Sequence, residues 1–438
     1  MLSSLICKIL FIAGISGTTL TCTKNHTSDT QRLADAYSSE VVVKWLDMQL
    51  NMLRVPLAEG VGSQAAERAQ AYCGIALYES ILAGMPARKS LHGQLTDFPA
   101  MPVIEAGKKY HWGAVANAAL AEMNRKLFPK ASATSKSGMD SLEKALLLNY
   151  SVDADAETLQ RSTAFGKEVS SQVYAWAATD GSANTNPPHV ASGKPGTWVS
   201  TPPNFPGPVH PYANQRRLLA PGSAAGTTLD PPPPYSDIPA SPFYNMVKDV
   251  YDKSQALTPE QKAMAIYHRD VPGYPGGGQF VAVLSQVLNK AKPKLDVAAA
   301  AYAKCGIAQS DATTICFTFK YSFNIVRPIT YIRKELGHPS WNALFNTPGH
   351  PEFPAAHAVV SSAIAEVLSN VFGENFKFTL SSYDYLGLPA RNYNSFEEMS
   401  KEMADSRVYG GIHYQASCDK GRMLGEKVSK NIISTVKF

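Results

Sequence analysis

Residues 349–368 read GHPEFPAAHAVVSSAIAEVL. Pro354 can begin a helix, Ala355 and Ala356 leave its first turn sterically open, and Val360, Ile364, Val367, Leu368 and Val371 recur three and four apart up to a C-capping Gly373. This is the pattern of an amphipathic helix with one buried stripe, and it has no strand-like alternation. The first-turn amides, that of Ala356 among them, have no intrahelical partner and can donate to an anion. His357 stands at the same positive end, where a protonated imidazole is disfavoured unless an anion lies nearby. The stretch therefore predicts a helix whose N-terminus holds an oxyanion, with His357 beside it for proton transfer.

The same periodicity extends outward along the chain. It predicts helices over 41–53, 65–82, 112–127, 142–150, 159–178, 242–251, 259–269, 280–291 and 295–305, and alternation is scarce throughout. The expected class is all-α, a helical bundle core. Half of the 30 prolines fall between Pro187 and Pro242, including PPPP at 231–234. That segment cannot hold regular helices, yet Trp198, Phe205, Tyr212, Tyr235, Arg216 and Arg217 are too many large side chains for a solvated linker. It is expected to be a long, ordered, irregular excursion packed across one helical domain spanning 23–438.

Composition narrows the function classes. With 438 residues, 45% hydrophobic and 18% charged, the chain has material for a large core. The formal charge is only +5 and the basic residues are scattered, so nucleic-acid binding is not expected. Residues 1–22 carry Lys8, a short apolar run from Ile9 to Ile15, small residues and then Cys22. They read as an export signal, with Cys22 resembling a lipoprotein start. The expected location is exported: periplasmic, outer-membrane lipoprotein or secreted. Membrane contact would come only through that lipid anchor. In an oxidising compartment Cys73, Cys305, Cys316 and Cys418 could pair or stay as buried thiols, and spacing does not choose between these outcomes.

The remaining chemistry lies in the last third. In CFTFKYSFNIVRPITYIRKE, Lys320 and Arg327 are seven residues apart, two helical turns, and so are expected on one face; Pro328 makes Arg327 a helix end. Two cations among Phe317, Phe319, Phe323, Ile325 and Val326 are costly unless an anion is supplied. Further on, SFEEMSKEMADSRVYGGIHY offers a capping box at Ser395 and Glu398 and a helix running to Arg407. The pair Gly410-Gly411 lets backbone approach a ligand, and His413 follows.

Lys320, Arg327-Pro328; Pro354-Ala355-Ala356-His357; and Ser406-Arg407 with His413 six residues after the arginine together resemble the three-part signature of the vanadium-dependent haloperoxidases and type 2 phosphatidic acid phosphatases. The phrases GTWVSTPPNFPGPVHPYANQRRLLAPGS, LTPEQKAMAIYHRD and SRVYGGIHY look like the soluble bacterial haloperoxidase branch. The resemblance covers roughly residues 35–438. It implies a vanadate cofactor held by Lys320, Arg327, the Ala356 amide and Arg407, with His413 as axial vanadium ligand. Lys320, His357 and His413 are then the catalytic residues, and hydrogen peroxide and halide (iodide or bromide) the substrates, giving hypohalous acid, with a small organic acceptor able to take the halogen. His350 and Phe317 match pocket positions, and Asp270 an acidic position able to orient an arginine from behind. Where the family has Ser-Gly before the histidine, this chain has Ala355-Ala356, losing one hydroxyl contact to the oxyanion. The same residues also suit a secreted acid phosphatase with His413 as nucleophile. A catalytically silent exported lipoprotein is the third reading.

Overall fold

The computed structural model describes residues 31–54, 63–270 and 278–438. Residues 1–22, read above as an export signal ending at Cys22, lie outside them. Arg32–Phe438 forms one compact unit. The described residues hold thirteen α-helices: α1 (Glu40–Arg54), α2 (Ser63–Ser80), α3 (Trp112–Leu127), α4 (Ala133–Tyr150), α5 (Ala156–Ala177), α6 (Pro242–Gln255), α7 (Pro259–Tyr267), α8 (Gly278–Ala291), α9 (Leu295–Phe323), α10 (Pro328–Lys334), α11 (Ala356–Phe372), α12 (Phe396–Tyr409) and α13 (Gln415–Thr435). A two-stranded antiparallel ribbon, β1 (Phe378–Leu380) and β2 (Arg391–Tyr393), is the one sheet among the described residues. The expected all-α class is what the chain adopts.

The core is built around α9, which is apolar on nearly all sides and buried along most of its length. It packs on α2 across one flank and on α11 and α13 across the other. Small residues set these distances. A Cβ on Gly306 of α9 would lie 2.6 Å from the Ala71 backbone of α2, and one on Gly425 of α13 would overlap the Val359 carbonyl of α11. Close helix approach requires glycine at both points. No helix among the described residues is long and apolar enough to cross a membrane.

Three local expectations are corrected. Lys320 and Arg327 do not share a helix face, because α9 stops at Phe323. Asn324 takes a left-handed conformation (φ 51°, ψ 41°), and Arg327 is extended (φ −77°, ψ 151°) as the N-cap of α10. Asparagine tolerates that left-handed geometry, and the Pro328 ring disfavours helical backbone at the residue before it. Likewise α11 begins at Ala356, two residues after Pro354, and its N-cap Ala355 has no side-chain cap. Gly373 is its C-cap, as the spacing predicts. At α12 the Ser395 hydroxyl accepts from the Glu398 amide, but the Glu398 carboxylate returns to the Asn394 amide instead of Ser395.

The proline-rich segment holds only one short turn of 3-10 helix, Ala213–Gln215, yet it is anchored to the core. The Trp198 amide donates to the Asn324 carbonyl (3.0 Å) and the Val326 amide to the Gly196 carbonyl (2.9 Å), bracketing the loop that carries Arg327. The Val209 amide donates to the Gly349 carbonyl at 2.8 Å. Farther on, the Leu219 and Ala220 amides donate to the buried Asp311 carboxylate of α9. Trp198 itself is buried. The excursion thus braces the segments on either side of the candidate site.

Candidate active site

Charge is concentrated where the chain is driest. Lys320 and Arg327 have no exposed surface and Arg407 has 1%. The Lys320 ammonium donates to the carbonyl oxygens of Pro351 and Glu352, each at 2.9 Å, tying α9 to the segment that enters α11. Burial pulls its pKa down to about 7. Arg327 is spread over three acceptors: its Nε donates to the His350 carbonyl (2.8 Å), one terminal nitrogen to the Ile412 carbonyl (2.8 Å), and the other to His350 Nδ1 (2.9 Å). Arg407, in the last turn of α12, donates to Ser406 Oγ and to the His268 carbonyl. Three buried guanidinium and ammonium groups in one region need a counter-anion.

His413 supplies the remaining piece. Its Nδ1 is 2.7 Å from Glu352 Oε1, and its Nε2 is 3.2 Å from an Arg327 terminal nitrogen. Arginine only donates and an ionised carboxylate only accepts, so Nδ1 carries the proton and Nε2 presents a lone pair. Burial, with the fields of Arg327 and Lys320, holds the imidazole pKa well below its ordinary value, keeping it neutral. Glu352 is fully buried and also accepts from the Tyr414 amide at 3.0 Å. Its role is not assigned from the sequence, although it lies within the 349–368 stretch. The available signal was an acid two residues before Pro354 in an apolar setting.

Ala356, His357, His350, Phe317 and His413 line one cavity of about 160 Å³. Arg407 lines a second, of about 270 Å³, which shares Asp270, Pro348 and Ile412 with the first. His357 Nε2 is 3.1 Å from Asp270 Oδ1, so the histidine is what Asp270 orients directly; its charge also reaches Arg407. Phe317 stands edge-on to His350 at 5.0 Å. The turn that carries the chain from Arg407 to His413 depends on its glycines: a Cβ on Gly410 would overlap the Phe345 ring, and Gly411 has φ +76°. Ala355 is buried in a small apolar cluster with Ala358, Ala404, Val408 and Cys418. The four cysteines among the described residues are free, buried thiols.

Residues 300–438, which carry all of these groups except His268 and Asp270, match the family model of the VCPO second helical-bundle domain. The fold is similar to the crystal structure of the first bacterial vanadium-dependent iodoperoxidase, with 28% identity and a TM-score of 0.83 over 91% of this chain and 97% of that one. Over residues 300–438 in sequence, and over most of its length in fold, the chain is similar to vanadium haloperoxidases. An apo-type bacterial vanadium-dependent chloroperoxidase shares the fold at 14% identity and a TM-score of 0.64, over 87% of this chain and 95% of that one. The holo-type chloroperoxidase does so at 15% and 0.58, over 89% and 92%. No curated protein sequence matches. For a vanadium haloperoxidase relative the donor set is coherent: among the described residues no group of three or more His, Cys, Asp and Glu converges as for a bare cation. Buried cations, open helix amides and one imidazole lone pair suit an oxyanion instead.

Proposed function

We propose that this protein is a vanadate-dependent haloperoxidase that uses hydrogen peroxide to oxidise iodide or bromide to hypohalous acid. The observation that carries the reading is His413, a neutral imidazole whose Nδ1 proton is committed to Glu352, whose Nε2 lies beside Arg327, and which lines a cavity in a region holding three buried cations. Lys320, Arg327, Arg407 and the Ala356 amide would hold the oxygens of vanadate, and His413 Nε2 would ligate its metal. When bound, vanadate supplies a Lewis-acidic centre that activates hydrogen peroxide toward halide. The chain's own part is charge and proton management. Arg327 and Arg407 neutralise the oxyanion without titrating, because guanidinium stays protonated. Asp270 accepts from His357 Nε2, which leaves Nδ1 of that histidine free to take up and return a proton.

Iodide is favoured by the likeness to an iodoperoxidase. Ala355 replaces a hydroxyl contact worth about 1 kcal/mol or more to a charged group, which lowers vanadate affinity by roughly tenfold without removing the amide donors. Export through residues 1–22, with lipidation of Cys22, belongs to the same proposal; the mass of the mature N-terminus tests it.

The deciding experiment strips the purified protein of oxyanion and titrates it with orthovanadate while following iodide and bromide oxidation by hydrogen peroxide. A saturable vanadate-dependent rate, abolished in His413→Ala and competed by phosphate, is expected. If saturating vanadate yields no rate and the vanadate-free sample cleaves p-nitrophenyl phosphate, the phosphatase reading replaces this one. If neither activity nor oxyanion binding appears, the protein is a silent member of the fold.

A further inference from the structure

The cavity that His357 and His413 line has a second, polar wall. It is formed by Glu67 of α2, Gln309 and Thr313 of α9, and His210 of the proline-rich excursion. Gln309 and Thr313 are one helical turn apart and so share a face. Glu67 is 9% exposed, Thr313 3% and Gln309 not at all. Glu67 Oε2, both side-chain amide atoms of Gln309 and Thr313 Oγ1 are buried without a hydrogen-bond partner in the protein. Buried polar atoms left unmade are costly, so this wall is one that holds water. A water needs on the order of 10 to 15 Å³ of cavity. The cavity of about 160 Å³ therefore has room for a short file of waters beside an oxyanion.

Glu67 is an acid on the wall of a cavity whose other groups attract an anion. Burial pushes its carboxyl up to about 7, with the Arg216 charge opposing the rise and the Asp270 charge adding to it. A bound oxyanion acts in the same sense as Asp270, so its arrival draws a proton onto Glu67. The groups that face Glu67 leave this role to it. From the excursion, an Arg216 terminal nitrogen donates to His210 Nδ1 at 3.0 Å, which places the imidazole proton on Nε2, 3.7 Å from Glu67 Oε2. His210 is held there by left-handed backbone (φ 51°), uncommon outside glycine, and burial lowers it to about 3, so it stays neutral. From α9, burial pushes the Cys316 thiol up to about 11. Across the cavity, His350 and His413 are held well below the ordinary histidine value, and His357 is engaged with Asp270 at 3.1 Å.

We infer that Glu67 is the proton reservoir of the site: it takes up a proton when the oxyanion binds and passes it, through water held on Gln309 and Thr313, to the oxygen set free from peroxide. The delivery step rests on the haloperoxidase reading; the uptake does not. Oxidation of a halide by hydrogen peroxide breaks the O–O bond and forms an O–X bond. The halide loses two electrons and each peroxide oxygen gains one. The second oxygen is released as hydroxide and takes one proton to become water. That proton comes from the Glu67 carboxyl, and the carboxylate left behind is reprotonated from solvent. Arg327 and Arg407 cannot supply it, because guanidinium does not titrate.

Orthovanadate is the probe, titrated by calorimetry into the full-length protein in buffers of differing ionisation enthalpy, which counts the protons taken up on binding. At pH 7.5 the parent protein should take up about half a proton more per oxyanion than Glu67→Gln, with no loss of affinity in the variant. Lys320 and Glu352, each near 7, titrate in the same range but are common to both proteins, so the difference belongs to Glu67. Iodide oxidation at saturating orthovanadate, iodide and peroxide is then followed. It should fall at least about tenfold in Glu67→Gln and in Thr313→Val, recover in part in Glu67→Asp, and leave the proton uptake of Thr313→Val intact. Thermal melts establish that each variant folds. Equal uptake in the parent and Glu67→Gln overturns the reservoir, and an unchanged rate in Glu67→Gln or Thr313→Val overturns the delivery; both leave the haloperoxidase reading standing on the parent's rate. Uptake linked to Glu67 in a parent protein that oxidises no halide sinks the haloperoxidase reading and the delivery step together, and leaves the uptake in place.

Discussion

The bond between His413 Nδ1 and Glu352, 2.7 Å long, sets which nitrogen of the imidazole is available. A ligand histidine whose other nitrogen faces a carboxylate is both oriented and made more basic. Glu352→Gln keeps an acceptor but removes the charge, so orthovanadate affinity should fall by about 10- to 100-fold with the fold retained, as calorimetry alongside a thermal melt would measure. Unchanged affinity would mean that the carboxylate is not what tunes His413. Ala355 illustrates a different limit. The departure from the family motif is legible from the sequence, but the apolar cluster of Ala358, Ala404, Val408 and Cys418 around it comes from α11, α12 and α13 meeting in space.

Helices α11 and α13 cross so closely that Gly425 has no room for a side chain against the Val359 carbonyl. Gly425→Ala should cost roughly 1 to 3 kcal/mol, because backbone must move. Since α11 carries Ala356 and His357, part of the displacement should reach the site: the variant is expected to show a lower urea midpoint together with weaker orthovanadate binding. A midpoint equal to that of the parent protein would show the crossing to be slack. The helices themselves were legible from three-and-four spacing, because a helix that must bury one face writes that face into its sequence. The break between Lys320 and Arg327 was less legible. Pro328 marks the end at Arg327, but the earlier stop at Phe323 depends on Asn324 adopting left-handed backbone.

Across the whole molecule, several histidines are held neutral in the interior. Burial lowers His268 to about 4 and His210 to about 3. His268 accepts from Gln279 at Nδ1 and donates to Glu402 at Nε2, and its carbonyl holds Arg407. For a histidine depressed in the folded state, the unfolded chain takes up a proton first on acidification. Their stabilising contribution is therefore complete above pH 6.5 and is lost as pH falls from there toward 4, on the order of 1 kcal/mol per pH unit for each histidine. The buried Glu67 and Glu352 carboxyls, raised to about 7, act in the opposite direction, so the histidine contribution is read as a difference: between pH 6.5 and 5 the urea midpoint of the parent protein should lose ground to that of His268→Gln, and parallel profiles would contradict the assignment.

Helical class, the three candidate oxyanion-binding segments and nine candidate residues could all be read along the chain, since periodicity and short-range spacing are local properties. The pairings that give those residues their chemistry could not. Glu352 on His413, Asp270 on His357 and His268 behind Arg407 join residues 61, 87 and 139 positions apart. The wall of Glu67, Gln309 and Thr313 likewise brings α2 to α9 across most of the chain. Protonation states and unsatisfied polar atoms depend on what burial removes from water, and that is settled only when distant segments pack.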